Sequence, residues 1–584
     1  MHRVKRILQE VKEYKAASIV TPFWMLVEVV SETMIPFLMA SIIDQGVEKG
    51  DMAHILKVGA VMLLAVAIGL LGGLLGGVYG AKASTGLAKN LRESMFNRIQ
   101  TYSFSNIDKF STAGLVTRLT TDVTNVQNSY QMVLRIAMRA PASMICALTM
   151  AFMINAKLAS VYLVALFILT IVLSIIIRRA TAAFSEAFPK YDALNASVQE
   201  NVSAIRVVKA YVREEEETRK FHKASENIYK IFKKAEGNVI LNQPIMQSTV
   251  YTCILLISWI GAKMIVTDTL TTGELMSLLT YCMNILMNLM MLSMIFVMIS
   301  MSMASIRRIG EVLEEESDLH NPEHPVYEVT DGSIVFKDVE FAYNKGAEEP
   351  ILKDINLEIK SGETIGIIGG TGSAKTTLVN LISRLYDVNE GEVLVGGRNV
   401  KEYDMEALRN QVSVVLQANV LFSGSIYENL RWGDIDATDE ECQRACQLAC
   451  ADEFIQRFPD KYDTHIEQGG MNVSGGQKQR LCIARALLKK PKILILDDST
   501  SAVDTATDAK IRKAFREEIP GTTKIIIAQR IASVQDADRI IVMDNGMVNG
   551  FGTHEELVAG NEIYREVYES QSSGSGDFDE KEGM

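Results

Sequence analysis

One stretch decides the fold of the C-terminal half of this chain: Thr364-Ile-Gly-Ile-Ile-Gly-Gly-Thr-Gly-Ser-Ala-Lys-Thr-Thr-Leu378. Its apolar run predicts a strand, a glycine-rich turn follows from Gly369, and Lys375 and Thr376 open a predicted helix. Backbone N–H groups in such a turn and at a helix N-terminus bind phosphate oxygens, while the lysine reaches the outer phosphates and the hydroxyl binds magnesium. The stretch therefore predicts an α/β nucleotide-binding domain. Ala374 stands where this pattern has its last glycine.

Two further segments supply what a phosphate-binding turn needs. The apolar run Ile493-Leu-Ile-Leu-Asp497 predicts a strand that ends in a carboxylate, which suits a magnesium ion beside the turn. Between the two strands, Asn472-Val-Ser-Gly-Gly-Gln477 opens a predicted helix and offers a second anion-binding helix N-terminus. Together the three segments predict a site for the phosphates of a nucleotide and for Mg²⁺.

The N-terminal half contains six apolar runs near the roughly 20 residues that a helix needs to cross a bilayer. They lie at residues 16–42, 55–80, 132–155, 158–178, 239–266 and 274–303. The segments after the second and fourth runs are about fifty residues long, basic and helical in periodicity, so the positive-inside rule places them and the N-terminus in the cytoplasm. We expect a membrane domain at 1–310, a linker at 311–332, a nucleotide-binding domain at 333–570 and an acidic, disordered tail at 571–584.

Composition excludes several classes of protein. The net charge is −12, from 59 basic and 71 acidic residues without a dense basic block, so we expect no nucleic-acid partner. Seven cysteines are an odd number, and three of them lie in apolar runs, which argues against a disulfide framework. Cys442, Cys446 and Cys450 recur every four residues; we favour small-residue packing over metal ligation for this row.

Ionisable residues inside the apolar runs are informative, because each costs on the order of 3 kcal/mol at the bilayer centre unless it faces protein or water. Glu28 and Glu32 share a helix face, as do Arg135 and Arg139. The functional interpretation is a cavity for cationic or amphipathic cargo, and the alternative is structural Glu–Arg pairing. Nine methionines crowd the sixth run, where they suit either varied cargo or helix packing. The candidate cavity residues are Glu28, Glu32, Arg135, Arg139, Met287 and Met294.

In combination these motifs resemble those of the ATP-binding cassette (ABC) transporters, and the resemblance covers essentially the whole chain. Six spans fused ahead of one cassette resemble an exporter-type half-transporter. The resemblance implies an α-helical membrane domain with six transmembrane helices, followed by an α/β P-loop nucleotide-binding domain with a helical subdomain. It also implies ATP-driven export of amphipathic or hydrophobic drug-, lipid- or peptide-like compounds by alternating access.

The resemblance also implies roles for individual residues. Those that contact ATP are Tyr343 on the adenine, Gly369, Gly370, Thr371, Gly372, Ser373, Ala374, Lys375, Thr376 and Thr377 around the phosphates, and Ser474, Gly475, Gly476 and Gln477 of the signature opposite a second cassette. The D-loop between the cassettes is Ser501-Ala-Val-Asp504. The metal ligands are Thr376, Gln417 and Asp497, and the catalytic residues are Asp498, Gln529 and Gln417.

Three positions depart from the family pattern at one nucleotide site. Asp498 stands where the family usually has a catalytic Glu, Gln529 replaces the usual switch His, and Ala374 adds bulk beside the phosphates. Loss of a well-placed general base typically costs about 10²–10⁴-fold in rate. The chain therefore resembles the degenerate-site subunit of a heterodimeric multidrug-type exporter. Its partner is expected to supply the catalytic Glu and the switch His.

A rival hypothesis is an ATP-gated channel or a regulatory membrane receptor that uses nucleotide binding without export. Both hypotheses make the chain an integral membrane protein with its N-terminus and cassette in the cytoplasm. The family resemblance favours a bacterial plasma membrane. The expected partners are a second half-transporter, membrane lipid and an amphipathic small-molecule cargo.

Overall fold

The structure is a computed structural model that describes residues 2–343, 349–498 and 503–572. It contains two compact units, Met1–Thr101 with Phe110–Glu315, and Tyr102–Lys109 with Glu316–Met584. The sequence placed the end of the membrane domain at residue 310, but the last membrane helix continues to Glu314. It continues because Ile309, Val312 and Leu313 recur at helical spacing and are buried. The predicted linker at 311–332 thus begins as helix. The disordered tail predicted at 571–584 is wrong for its first two residues, because Gln571 and Ser572 continue the last helix, Glu562–Ser572. The remaining residues of the predicted tail, 573–584, lie outside the described residues.

The first unit is helical. Its helices are α1 (His2–Gln9), α2 (Lys15–Ser41), α3 (Met52–Gln100), α5 (Thr112–Thr117), α6 (Val123–Met132), α7 (Met138–Ile154), α8 (Ala156–Ser203), α9 (Ile205–Ala210), α10 (Glu214–Ile240), α11 (Asn242–Val266) and α12 (Thr272–Glu314). Helix α4 (Phe104–Phe110) follows α3 in sequence, and its residues up to Lys109 belong to the second unit. Within the described residues, six stretches are long and apolar enough to cross a membrane. The second predicted span, 55–80, is the first part of the 49-residue helix α3.

Polar side chains fix where the membrane helices begin. Asp51 accepts hydrogen bonds from the first backbone N–H groups of α3, and Asn155 does the same for α8. Thr271 caps α12 in a capping box with Glu274. Asp44, just after α2, accepts a hydrogen bond from the backbone N–H of Gly273 at 2.8 Å. The first and last spans are therefore joined at this end.

Helices α2 and α3 pack closely because α3 presents glycines to its neighbour. A Cβ atom on Gly72 would lie 3.0 Å from the backbone nitrogen of Glu28, and one on Gly76 would lie 2.3 Å from the Met25 methyl group. Backbones approach this closely only where side chains are absent, as at other small-residue contacts between membrane helices. The first two spans therefore form one tightly packed pair.

A buried ion pair joins the segment after α5 to the end of α12. The Asp122 carboxylate is fully buried, and it accepts hydrogen bonds from Nε of Arg308 at 2.7 Å and from the Ser305 hydroxyl at 2.8 Å. Arg118 adds a contact with Glu311 on the next turn of α12, at 3.2 Å. Breaking a buried, bidentate pair leaves an uncompensated charge, so this junction resists separation.

The second unit contains two sheets and a helical subdomain. Its strands are β1 (Ile334–Phe341), β2 (Leu352–Ile359), β3 (Thr364–Ile368), β4 (Glu390–Val395), β5 (Arg398–Asn399), β6 (Val412–Val415), β7 (Gly424–Ser425), β8 (His465–Ile466), β9 (Ile493–Asp497), β10 (Thr523–Ile527), β11 (Arg539–Asp544) and β12 (Met547–Gly552). One antiparallel sheet has the order β2-β1-β4-β5, and a larger sheet has the order β12-β11-β3-β10-β9-β6. Strands β11, β3, β10, β9 and β6 run parallel, so their carboxyl ends share one edge.

The helices of this unit cover the larger sheet and build the subdomain. They are α13 (Lys375–Ile382), α14 (Met405–Gln411), α15 (Ile426–Leu430), α16 (Asp439–Leu448), α17 (Asp452–Ile455), α18 (Gly475–Leu488), α19 (Thr505–Glu518), α20 (His554–Gly560) and α21 (Glu562–Ser572). Cys442 and Cys446 on α16 are fully buried in the core of the subdomain, and Cys450 packs against it. Among the described residues, no cluster of three or more His, Cys, Asp or Glu side chains is arranged to hold a metal ion. Their burial shows that Cys442 and Cys446 pack the core of the subdomain.

Candidate nucleotide site

The glycine-rich turn follows β3 at the carboxyl edge of the larger sheet. Gly369 must be glycine, because a Cβ there would lie 2.3 Å from the Met543 carbonyl oxygen. Gly372 has a positive φ of 85°, which glycine adopts without strain. Ala374 adopts a left-handed conformation with φ of 71° directly before α13. The family's glycine at this position is therefore explained by the backbone, and alanine adopts the same conformation under strain.

Lys375 places its charge inside the turn. Its Nζ donates hydrogen bonds to the carbonyl oxygens of Gly369 and Gly370, each at 2.7 Å, and to the Ser373 hydroxyl at 3.3 Å. A positive charge and the backbone N–H groups of such a turn both attract phosphate oxygens. Of the predicted cradle at 369–377, Gly369, Gly370 and Ser373 contact the Lys375 ammonium.

Two of the predicted metal ligands are in contact. The Thr376 hydroxyl at the start of α13 donates to Oδ2 of Asp497 at the end of β9, at 2.9 Å. Burial raises the pKa of Asp497, although the Thr376 hydroxyl and the Lys375 ammonium oppose the shift. A hydroxyl and a carboxylate oxygen are ligands that Mg²⁺ prefers, so these two residues fit a magnesium ion beside bound phosphates.

An aromatic group stands beside the turn. The Tyr343 hydroxyl lies 3.1 Å from that of Thr377, and its ring packs edge-on against the ring of Tyr386 at 5.0 Å. Tyr386 also donates to the Asp108 carboxylate, at 2.8 Å, and contacts the ring of Phe104. Burial and the Asp108 carboxylate raise the pKa of Tyr386. The residue predicted to stack on adenine is thus one ring away from the segment at 102–109.

The two atypical catalytic positions contact each other. The side-chain amide of Gln529, just after β10, donates to Oδ2 of Asp498 at 3.2 Å. Asp498 has a φ of 49°, in the left-handed region that Asp tolerates better than most residues. The side-chain amide of Gln571 in α21 makes two hydrogen bonds to the backbone around Gln529. It donates to the Gln529 carbonyl oxygen at 3.0 Å and accepts from the Ile531 N–H at 2.9 Å.

The remaining predicted residues lie elsewhere on the same unit. Ser474 caps α18 in a capping box with Gln477. Gln417 follows β6 and has an exposed side chain. Asp504 caps α19, and the hydrogen bonds it accepts there lower its pKa. Ser501 and Ala502 of the predicted D-loop lie outside the described residues.

The charged residues of the spans form a separate group in the first unit. Nη2 of Arg139 lies 2.7 Å from Oε2 of Glu32 and 3.6 Å from Oε1 of Glu28. Glu28 and Glu32 line a cavity of about 410 Å³ between α2 and α3. Arg135 lies in the helical segment Val133–Ala137 between α6 and α7 and packs against α3, where a Cβ atom on Gly77 would lie 3.9 Å from its Nη2. Met287 and Met294 have exposed side chains on α12.

Sequence comparison agrees with this combination of a six-span unit and a nucleotide-binding unit. The family described as "ABC transporter transmembrane region" matches residues 19–306, and the family described as "ABC transporter" matches residues 352–501. The chain belongs to the ABC transporters. As a member of this family it is an integral membrane protein whose C-terminal domain binds and hydrolyses ATP.

Individual relatives cover nearly the whole chain. An uncharacterised ABC transporter ATP-binding protein of Bacillus subtilis, YfiB, is 36% identical over 98% of this chain and 99% of its own length. A probable multidrug resistance ABC transporter ATP-binding/permease protein of the same organism, YheI, is 35% identical over 83% of each chain. The fold matches that of a bacterial Atm1-family ABC exporter with ATP bound, with a TM-score of 0.77, 24% identity and 98% coverage of both chains. The predicted exporter half-transporter and its fold class are thus confirmed.

Proposed function

We propose that this ABC transporter chain is the hydrolysis-impaired half of a heterodimeric exporter of amphipathic compounds, and that Thr376 and Asp497 hold Mg²⁺ at its nucleotide site. The observation that carries the proposal is the contact of Asp498 with Gln529. A general base must present a free carboxylate oxygen to the attacking water. Here the carboxylate is one methylene shorter than the family's Glu, and one of its oxygens accepts a hydrogen bond from a neutral amide.

The binding half of the site supports the same proposal. Lys375 lies in its turn, and Thr376 contacts the buried carboxylate of Asp497. These contacts suit tight binding of ATP, whereas the Asp498–Gln529 pair suits slow cleavage. The signature residues 474–477 keep the helix N-terminus that would face the ATP of a partner cassette. The nucleotide site of the partner would then be completed by an intact signature sequence from this chain.

The charge pattern of the first unit supports a cationic amphiphile as cargo. Two carboxylates, Glu28 and Glu32, share the guanidinium of Arg139, and both line the 410 Å³ cavity between α2 and α3. Apolar side chains, among them Ile35 and Leu70, line the rest of it. A cavity with acidic residues amid apolar walls is complementary to a positive head group on an apolar body.

The test is vectorial transport. The chain is expressed alone and together with a candidate second half-transporter, and inside-out vesicles are supplied with a fluorescent cationic amphiphile and ATP. We expect ATP-dependent accumulation with both chains and little with either chain alone. The double variant Glu28→Gln, Glu32→Gln should lower uptake of the cation several-fold and leave uptake of a neutral analogue unchanged. Exchange of Glu274 for Gln is not a suitable control, because that residue caps α12.

A better control is Glu48→Gln, which removes a carboxylate from an exposed position after α2. Uptake by this chain alone at the rate of the pair would contradict the heterodimer. ATP-dependent conductance without accumulation would favour the ATP-gated channel. A response to ATP binding without either flux would favour a regulatory receptor.

A further inference from the structure

The C-terminal helix contacts the switch segment, which we define as residues 528–531. Gln571, near the end of α21, makes two hydrogen bonds to its backbone, one on each side of Arg530: its Nε2 donates to the carbonyl oxygen of Gln529, and its Oε1 accepts from the N–H of Ile531. An amide side chain offers one donor group and one acceptor, so it matches this pair of backbone groups in a way that a carboxylate or an ammonium does not.

The backbone of the switch segment needs such a partner. At its start, the Ala528 N–H still donates to the Ile367 carbonyl oxygen of β3. Ile531 is buried and begins a short 3₁₀ turn, where the first N–H groups lack partners within the turn. A buried N–H without a partner is costly, so Gln571 stabilises one conformation of the segment.

Helix α21 itself is held by the core and not by this contact. Tyr564 is fully buried, and its hydroxyl lies 2.7 Å from Nδ1 of His554 on α20. Val567 is buried on the same side. Residues 564, 567 and 571 are three and four apart, so they share a helix face and the core fixes where Gln571 points.

We propose that Gln571 is a positioning residue for the switch: it fixes the backbone of Gln529, whose side chain contacts Asp498 at 3.2 Å. The inference rests on the proposed role of Gln529 at the nucleotide site. It gives the C-terminal helix a role in controlling hydrolysis, although this helix lies far in sequence from every nucleotide motif. Displacement of α21 would release Gln529 from its place beside Asp498.

The test uses the full-length transporter in lipid nanodiscs with three variants. Gln571→Ala removes both hydrogen bonds, and Gln571→Glu keeps the acceptor for Ile531 and loses the donor to Gln529. Gln535→Ala is the matched control, because it removes the same side chain from an exposed position four residues after Ile531. Hydrogen exchange of peptides that cover 528–535 is measured together with kcat, KM for ATP and the melting temperature.

We expect exchange of 528–535 to accelerate about tenfold in Gln571→Ala, in keeping with the loss of a buried hydrogen bond. With the partner's catalytic Glu changed to Gln, so that only this chain's site turns over, kcat should rise about five- to tenfold, because release of Gln529 removes the amide that occupies an oxygen of Asp498. KM for ATP and the melting temperature should be unchanged, and Gln571→Glu should lie between the wild type and Gln571→Ala. Unchanged exchange in Gln571→Ala, or an equal rise of kcat in Gln535→Ala, would overturn the proposal. A change of kcat that follows the melting temperature would also overturn it, because it would show that α21 acts through stability alone.

The exchange measurement separates this inference from the proposed function. If no amphiphile is transported, the proposed function fails, and the exchange of 528–535 still shows whether Gln571 holds the switch segment. If transport is observed and exchange is insensitive to Gln571, the inference fails and the proposed function stands.

Discussion

Exchanging the two atypical residues for the family's residues, Asp498→Glu with Gln529→His, should restore hydrolysis at this chain's nucleotide site. The added methylene extends the carboxylate toward the attacking water, and the imidazole replaces the amide that donates to Asp498 at 3.2 Å. A well-placed general base is worth about 10²–10⁴-fold, or about 3–5 kcal/mol. The backbone conformation at position 498 reduces this expected gain in rate.

This reduction comes from the backbone of Asp498. Its φ of 49° lies in the left-handed region, which disfavours residues other than glycine by about 1–2 kcal/mol and is more acceptable to Asp than to Glu. Glu would occupy the productive conformation less often, by a factor of about 5–30 on this estimate. We therefore expect a net increase of about 10–100-fold in the single-turnover rate, rather than the full gain.

The assay is single-turnover hydrolysis of radiolabelled ATP by the assembled transporter, with the partner's catalytic Glu changed to Gln so that only this chain's site turns over. Each single variant serves as a control and should give less than the double variant, because the two side chains act on the same water and are not additive. An unaltered rate in the double variant, with ATP still bound, would show that the degenerate-site account is wrong.

Three further outcomes follow from contacts in the two units. Lys375→Ala should weaken ATP binding about 10–100-fold, because it removes the charge from the phosphate cradle, and a titration with a fluorescent ATP analogue measures this; an unchanged affinity would contradict the assignment of the cradle. Arg308→Ala should lower the unfolding free energy of the membrane unit by about 3 kcal/mol, because it leaves the fully buried Asp122 carboxylate without its cation, and a change below about 1 kcal/mol in detergent unfolding would contradict this. Tyr386→Phe should raise KM for ATP about fivefold, because it removes the hydrogen bond to Asp108 that holds Tyr386 against Tyr343, the residue predicted to stack on adenine. Activity of the wild type between pH 7 and 9 should not follow titration of the Tyr386 phenol, because its pKa is raised.

The nucleotide motifs were predictable from sequence because each is local. A strand, a glycine-rich turn and a helix follow one another in the chain, so the contact of Lys375 with its own turn is almost dictated by spacing. The pairing of Thr376 with Asp497 joins residues 121 apart, and it could be expected because parallel strands end at one edge of the sheet. The fold class followed in the same way from six apolar runs ahead of these motifs.

Contacts between polar residues that are far apart in sequence were harder to predict. Gln571 lies at no motif, and Asp108 lies in the basic segment after the second apolar run, which contains no nucleotide motif, although each contacts residues next to the nucleotide site. In the spans, helical spacing showed that Glu28 and Glu32 share a face, but periodicity carries no information about which arginine faces them. The structure pairs Arg139 with Glu28 and Glu32, which is the Glu–Arg pairing alternative, and the role of the same carboxylates in binding cargo is our proposal.

The pairing of Glu32 with Arg139 also constrains how this protein is made. The two residues are 107 apart in sequence, and synthesis proceeds from the N-terminus, so both carboxyl groups of the first span reach the bilayer well before their guanidinium exists. Each carries a cost on the order of 3 kcal/mol in the hydrocarbon until the third span arrives. An insertion intermediate that holds only the first two spans therefore carries two unpaired carboxyl groups, and arrival of the third span is the step that neutralises them.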